Sequence, residues 1–326
     1  MAFDLSNLLV IAISSSALFD TRKEHEIYIQ NGVDEYVKYQ IDNENNILSP
    51  GTAFPLIEAM LRLNKLTENN QIVEVVILSQ NEPEASLRIM NSVENHNLSI
   101  TRAVFTGGEN VAKYLKSYNV SLFLSRNETD VKDAIEIGIA AGLLYDPPDK
   151  IETEINQLRI AFDGDAVIFS DEAEKIYQEK GLEAFVEHER ANAEKPLPEG
   201  PFAPFLKIIS KIQNDHKARE QGGIPPIRTA IVTARNSPAH KRAILTLRAW
   251  GIKVNETFFL GGISKDQILK EFRPHIFFDD QEVHAKPASA LVPSARVPVK
   301  KVKKQDKNQL AIPLFENYSA TNKQNE

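Results

Sequence analysis

Residues 160–171 read IAFDGDAVIFSD, and this stretch decides the fold. Apolar residues of strand character flank two carboxylates spaced Asp-x-Asp, Asp163 and Asp165. Asp and Gly are disfavoured inside strands, so the spelling predicts a buried strand that ends and turns at Asp163, Gly164 and Asp165. Two acidic groups at a strand's carboxyl end repel each other unless a cation lies between them. Oxygen-only ligands favour a hard cation such as Mg²⁺. Alone, Asp-Gly-Asp is more often a simple turn, but three further pieces follow it in order.

The first is IRTAIVTARNSPAHKRAILTLRAWG, residues 227–251. An apolar strand ends in Thr233, and the spelling predicts a helix with Ser237 as N-cap, Pro238 in its first turn and a stop at Gly251. Ala243, Ile244, Leu247 and Trp250 form its apolar face. Thr233 then sits beside a helix N-terminus, where a hydroxyl and free backbone N–H groups hold phosphate oxygens well. The second piece, TFFLGGISKDQILKEF, runs a strand into Gly261-Gly262 and puts Lys265 in the first turn of the next helix. A lysine is unwelcome at that positive end, which suggests an anionic ligand; a solvated surface lysine is the plain alternative. The third, HIFFDDQ, is a strand ending in Asp279-Asp280, otherwise a cap or turn. In parallel α/β sheets ligands bind at strand carboxyl ends, and all four pieces stand there in a βαβα rhythm.

The order DGDAV, IVTAR, Lys265 and FFDDQ resembles the four motifs of the haloacid dehalogenase superfamily of phosphohydrolases. The wider wording is closer still to the cytosolic 5′-nucleotidase I family, through IAISSSALFD, YVKYQIDNEN, GTAFPLIEA, FDGDAVIFSDE, FVEHE, IRTAIVTAR and RPHIFFDDQ. These phrases run from about residue 8 to about residue 285, and the stretch after Ala288 departs from the pattern. The resemblance implies Mg²⁺-dependent hydrolysis of nucleoside 5′-monophosphates, AMP or deoxynucleoside monophosphates, through an aspartyl-phosphate.

Under that resemblance Asp163 is nucleophile and metal ligand. Asp165 protonates the departing 5′-oxygen and then activates water, its backbone carbonyl also reaching the metal. Thr233, Ala234 and Lys265 hold phosphoryl oxygens. Asp279 is the remaining direct metal ligand, with Asp280 acting directly or through water. Arg235, two residues from Thr233, and His188, in FVEHE, are candidate substrate contacts; for His188 and Glu189 a solvated helix face is the alternative. The residues themselves describe a phosphatase-like site and leave the alcohol open. A phosphatase for another small phosphometabolite is the competing reading, and a non-catalytic nucleotide-binding or scaffold protein is the rival from another class.

Sliding the chain against itself uncovers an internal repeat. A shift of 149 lays Ile11 to Ala17 over Ile160 to Ala166, Gly32 over Gly181, Asn43 over Asn192, Gly51 over Gly200 and Pro55 over Pro204. Beyond a short length change near residues 67–74 the shift becomes 154, pairing Ser79 with Thr233 and Gly107-Gly108 with Gly261-Gly262. The repeat is chemically lopsided. Ser14, Ser16, Val111, Ser125 and Arg126 stand where the second copy has Asp163, Asp165, Lys265, Asp279 and Asp280.

The expected architecture is therefore α/β: two tandem haloacid-dehalogenase-like, Rossmann-like units with mostly parallel sheets. Residues 1–150 form the degenerate unit and 151–298 the catalytic one, with a small helical cap at about 170–205 and a junction near residues 145–157, marked by Asp146-Pro147-Pro148-Asp149. Residues 299–326, lysine-rich at their start, are expected to be a flexible tail. With 42% hydrophobic and 25% charged residues the composition is that of a globular protein. The net charge of −7 does not suggest a nucleic-acid or membrane binder, and the absence of cysteine excludes disulfides, zinc-thiolate sites and thiol nucleophiles. The apolar run at residues 7–19 lacks a basic leading segment and is expected to be a buried first strand rather than a signal peptide. A cytoplasmic enzyme acting on a nucleotide is the overall expectation, with assembly into a homo-oligomer left open.

Overall fold

Unbroken apolar runs build the central strands, as burial on both faces of a parallel sheet requires. The computed structural model describes residues 4–67, 71–150, 157–215 and 225–299. Ten strands lie among them: β1 (Leu9–Ile13), β2 (Val73–Ser79), β3 (Arg102–Phe105), β4 (Leu122–Ser125), β5 (Ala140–Leu144), β6 (Leu158–Phe162), β7 (Ile227–Thr233), β8 (Glu256–Phe259), β9 (Ile276–Asp279) and β10 (Ser294–Arg296). β1, β2, β4 and β9 are buried throughout, whereas the edge strands β3 and β8 are half-buried. The apolar run near the amino end is β1, as expected of a buried strand.

All ten strands join one sheet, in the order β3-β2-β1-β4-β5-β10-β9-β6-β7-β8. Every neighbouring pair is parallel except β5 with β10. Read outward from that antiparallel seam, both sets of five have the same order. The sequence anticipates separate sheets. Instead β10, three residues long, offers its free edge to β5 through Leu144 opposite Ala295 and Leu143 opposite Arg296. Close approach at the seam depends on Gly142, where a Cβ would lie 2.9 Å from the Ala295 Cβ and 3.0 Å from the Phe278 ring.

The seam also fixes where the strand ends meet. Ser125 pairs with Leu143, Leu143 with Arg296, and Arg296 with Asp279. The carboxyl ends of β4 and β9 therefore lie level, their strands arriving from opposite directions. One hydrophobic cluster runs across the seam from Leu9 to Val297, while the opposite face carries two separate clusters, one for each set of strands.

Helices pack on both faces. The helix Glu172–Ala191 breaks at Gly181 (φ +82), and the pair Arg22–Asn31 and Val33–Asp42 breaks at Gly32 (φ +86), a backbone region that favours glycine. One local expectation is corrected. The helix after β7 is His240–Ala249, capped by Ala239 rather than Ser237. Residues before it close a tighter turn, with Lys241 N–H bonded to Pro238 O, before α-helical bonding begins. The expected tail from residue 300, and residues 151–156 of the expected junction, lie outside the described residues.

Candidate active site

Three loops bring the predicted acids together at the carboxyl ends of β6 and β9. Asp163 directly follows β6, and its N–H donates to Phe278 O at 2.7 Å, tying it to β9. The chain then makes a single π-type turn over Gly164–Ile168, inside which Asp165 (φ −74, ψ 143) and Ala166 (φ 60) leave helical geometry. A left-handed alanine is strained, and strain of this kind collects at functional turns. Gly164 is needed for contact with β7: a Cβ there would sit 3.1 Å from both Cβ and Oγ1 of Thr233.

Lys265 caps the short helix Asp266–Phe272, and its Nζ donates to Asp163 Oδ1 and to Asp279 Oδ2, each at 2.7 Å. Asp163, Lys265 and Asp279 are 6%, 5% and 0% exposed. Burial, reinforced by Asp279, raises the Asp163 carboxyl even against Lys265. Burial likewise raises Asp279. Asp280 is pushed up to about 8 by burial and by the charges of Asp163 and Asp279. Burial opposes the Lys265 charge, but the two carboxylates outweigh it and hold the ammonium above the ordinary lysine range. Lys265 is thus a charge partner of the acids.

Three carboxyl groups, two buried and one half-buried, gathered against one ammonium place negative charge in a low dielectric, a costly arrangement unless a cation joins it. Oxygens of Asp163, Asp279 and Asp280 lie within 4.8 Å of one another. Asp280 Oδ1 is buried and has no hydrogen-bond partner. An all-oxygen set with an orphaned carboxylate oxygen fits a hard divalent cation.

Thr233, at the end of β7, is buried, and its Oγ1 accepts the Arg235 N–H at 3.2 Å; Ala234 between them is exposed. Arg235 turns inward. Its Nε and Nη2 donate to Asp165 Oδ2 and Oδ1 at 2.8 and 2.7 Å, and its Nη1 donates to Glu189 Oε2. Phe169 and Phe185 rings lie 5.7 and 5.9 Å from the guanidinium carbon. Arg242 Nη1 donates to the other Glu189 oxygen at 2.8 Å. His188 joins this group rather than the acid cluster, through Glu172 Oε1 at 3.2 Å and Arg242 Nη1 at 3.3 Å.

Glu189 is 0% exposed, so the solvated-face alternative does not hold for it. Sequence reasoning missed Glu189 as a hub and missed Arg242 altogether. The available signal was the repeat, which pairs Arg242 with Arg88 and Glu189 with Gln40.

The 5′-nucleotidase family model matches residues 1–304. The chain belongs to that family. Human cytosolic 5′-nucleotidase 1B is 39% identical to it over 291 residues, 87% of this chain and 48% of the relative. The chain thus spans about half the length of the curated relative it matches. A crystal structure of histidinol dehydrogenase from Elizabethkingia anophelis overlaps 76% of this chain and 49% of its own, at 9% identity and a TM-score of 0.21, which carries no argument about fold. Among the described residues no helix is long and apolar enough to cross a membrane.

Proposed function

We propose that this member of the 5′-nucleotidase family hydrolyses nucleoside 5′-monophosphates, AMP or deoxynucleoside monophosphates, in the cytoplasm and with Mg²⁺. The observation that carries the proposal is the convergence of Asp163, Asp279, Asp280 and Lys265 at adjoining strand carboxyl ends, with an oxygen set that suits a hard cation. The strand order β8-β7-β6-β9-β10 and its match in β3-β2-β1-β4-β5 support two tandem haloacid-dehalogenase-like units. On that reading the first lacks the acids and the second carries residues 170–205 as its cap.

Asp163, Asp279 and Asp280 would hold the cation, with Asp165 contributing through its backbone. When bound, Mg²⁺ would offset the charge of the phosphoryl oxygens beside the carboxylates. A carboxylate oxygen of Asp163 attacks phosphorus, and the bond from phosphorus to the 5′-oxygen breaks. Asp165 gives its proton to that oxygen, so the nucleoside leaves neutral. Asp165, now a carboxylate, takes a proton from water, whose oxygen attacks phosphorus and releases phosphate from Asp163. Lys265, and the Thr233 hydroxyl with the Ala234 N–H, bind phosphoryl oxygens and stabilise their charge in both transition states.

A panel of phosphomonoesters assayed with Mg²⁺, with and without chelator, tests the proposal. Preference for nucleoside 5′-monophosphates, lost with chelator and regained with Mg²⁺, is expected. Preference for sugar phosphates would move the chain to the small-metabolite alternative, and no turnover of any phosphomonoester would end the enzymatic reading.

A further inference from the structure

The described residues hold a second buried charged group beside the acid cluster. It runs from Asp165 through Arg235 and Glu189 to Arg242. The two arginines and Glu189 are 3%, 4% and 0% exposed, and the Asp165 side chain retains 18%. Such a group is expensive to bury, and removing one partner of a buried pair costs more than the pair contributes. Stability alone gives little reason to place it here.

The first half of the chain provides an internal control. Arg242 corresponds to Arg88, and both do the same structural job. Arg88 Nε donates to Asn46 O at 2.7 Å, and Arg242 Nε donates to Lys195 O at 3.0 Å. One turn further on, Ser92 Oγ accepts the Leu48 N–H at 3.0 Å, as Thr246 Oγ1 accepts the Leu197 N–H at 2.9 Å. The other three members differ together: Asp165, Arg235 and Glu189 replace Ser16, Asn81 and Gln40. In the first half Asn81 Nδ2 and Gln40 Nε2 both donate to the Tyr36 hydroxyl, and the carboxylate that meets the shared arginine comes from Glu24, to which Arg88 Nη1 donates at 2.7 Å. Arg235 thus accompanies the acid Asp165 and is not needed for the shared architecture, whereas Glu189 takes over from Glu24 the charge balance of the shared arginine and adds the contact to Arg235.

We propose that Arg235 is a positioning residue for Asp165, and that Glu189 transmits the placement of the cap helix to it. The inference rests on the assignment of Asp165 as the acid and base of the proposed reaction. Two parallel N–H donors fix the plane of a carboxylate as a single donor does not. Arg235 is itself fixed by Glu189 Oε2, by Ala239 O at 3.4 Å and by one ring from each side of the cap boundary, Phe169 and Phe185. Glu189 lies in the second arm of the kinked helix, so displacement of that arm loosens the guanidinium and hence the carboxyl group that must meet the 5′-oxygen. The lone pairs of Asp165 that Arg235 leaves free carry the proton. Arg235 acts on the reaction through Asp165, by holding its carboxyl group.

The test exploits the leaving group. A nucleoside 5′-monophosphate must have its departing oxygen protonated, whereas an analogue with sulfur at the bridging 5′ position departs as a thiolate and needs no acid. Both present the same base, sugar and phosphate. Full-length Glu189→Gln and Arg235→Lys proteins are compared with wild type and Asp165→Asn on the two substrates, with Mg²⁺ and with thermal midpoints recorded. Glu189→Gln keeps the size of the side chain but only one of its two acceptor oxygens, so it loosens the hold on Arg235 without emptying the site and remains informative if Arg235→Lys does not fold.

The expected result is a fall of ~10²-fold in kcat/KM on the oxygen ester, the scale of a mispositioned general acid, with less than about threefold change in kcat/KM on the sulfur analogue; kcat/KM reports the steps up to departure of the nucleoside and not the later attack of water, which the two substrates share. Equal losses on both substrates, or no loss on either, would overturn the positioning role. Asp165→Asn separates this from the underlying reading. If that variant shows no leaving-group dependence, Asp165 is not the acid, whatever Arg235 and Glu189 do.

Discussion

The two halves of this chain use one strand order and treat their strand ends in opposite ways. In the first half Ser15 Oγ bonds the Ser79 Oγ and the Asn81 Oδ1, each at 2.8 Å, and Val111 is buried where the second half has Lys265. Its small hydroxyls satisfy one another. In the second half Gly164 replaces Ser15, leaving the Thr233 hydroxyl uncovered by a side chain at that position, and Asp163, Lys265 and Asp279 gather buried charge with an orphaned oxygen on Asp280. The comparison teaches that strand order alone specifies no chemistry. A few side chains at strand ends decide whether the same frame closes on itself or stays electrostatically incomplete and ready for a ligand.

The sharpest way to break the comparison is to remove the same position from each half. Asp163→Asn is expected to lower kcat by more than ~10³-fold, since an amide is neither nucleophile nor anionic ligand. Ser14→Ala, at the matched position, should leave kcat within about threefold. Steady-state assays on both variants decide it; comparable losses would mean the first half shares in the chemistry.

Cation dependence should belong to the second half alone, and pH exposes it. Folding raises the Asp280 carboxyl from 3.8 to about 8, so its protonated form is favoured in the folded state. That contribution to stability is fully present below the unfolded value and is lost as pH rises through the folded value. In chelator, the thermal midpoint should therefore fall as pH rises between about 4 and 8, and Mg²⁺ should reverse the fall because it binds the ionised acids. A midpoint that Mg²⁺ does not move at pH 8 would contradict the carboxylate cluster as a cation site. Asp280→Asn should weaken the pH dependence, the remainder belonging to Asp163 and Asp279, which burial also raises, and Ser14→Ala should leave it unchanged.

Between the halves, Gly142→Val should cost about 1–3 kcal/mol by forcing the seam against Ala295 and Phe278. Urea unfolding measures it, and a neutral result would show that the seam is loosely packed.

The smallest effect concerns an ion pair that occurs twice with its charges exchanged. Arg102 bonds Glu74 between the edge strands of the first half, and Arg228 bonds Glu256 at the matched positions of the second, each at 2.5 Å. Both residues of the second pair are partly solvated, so Arg228→Glu should cost only about 0.5–1 kcal/mol, and adding Glu256→Arg should recover most of it. A cycle without recovery would show that the pairing depends on surroundings the two halves do not share.

Much of this was legible in the order of residues. Asp163 to Asp165 announced a strand end because Asp and Gly break strands, and β6 does end at Phe162. The repeat aligned Gly32 with Gly181, and both stand at helix breaks where a positive φ suits glycine. Lys265 stood out because a cation at a helix start needs a negative partner, and its partners are Asp163 and Asp279. These are local rules, written within a few residues of where they act.

What tertiary structure alone decided depends on residues far apart in the chain. Three residues of β10 join β5 and turn two sheets into one, a pairing that no local pattern encodes because Ser294-Ala295-Arg296 is too short and too mixed to announce a strand. Glu189, in a polar and charged helix, looks solvated from its neighbours yet is completely buried between Arg235 and Arg242, 46 and 53 residues later. Arg235, a candidate for holding substrate by its place beside Thr233, spends its donors on Asp165 and Glu189. A strand end or a capped turn is set by backbone preference over a few residues. The partner of a buried charge is set by which chain segments packing brings within about 3 Å, and that distance exists only once the whole sheet has formed.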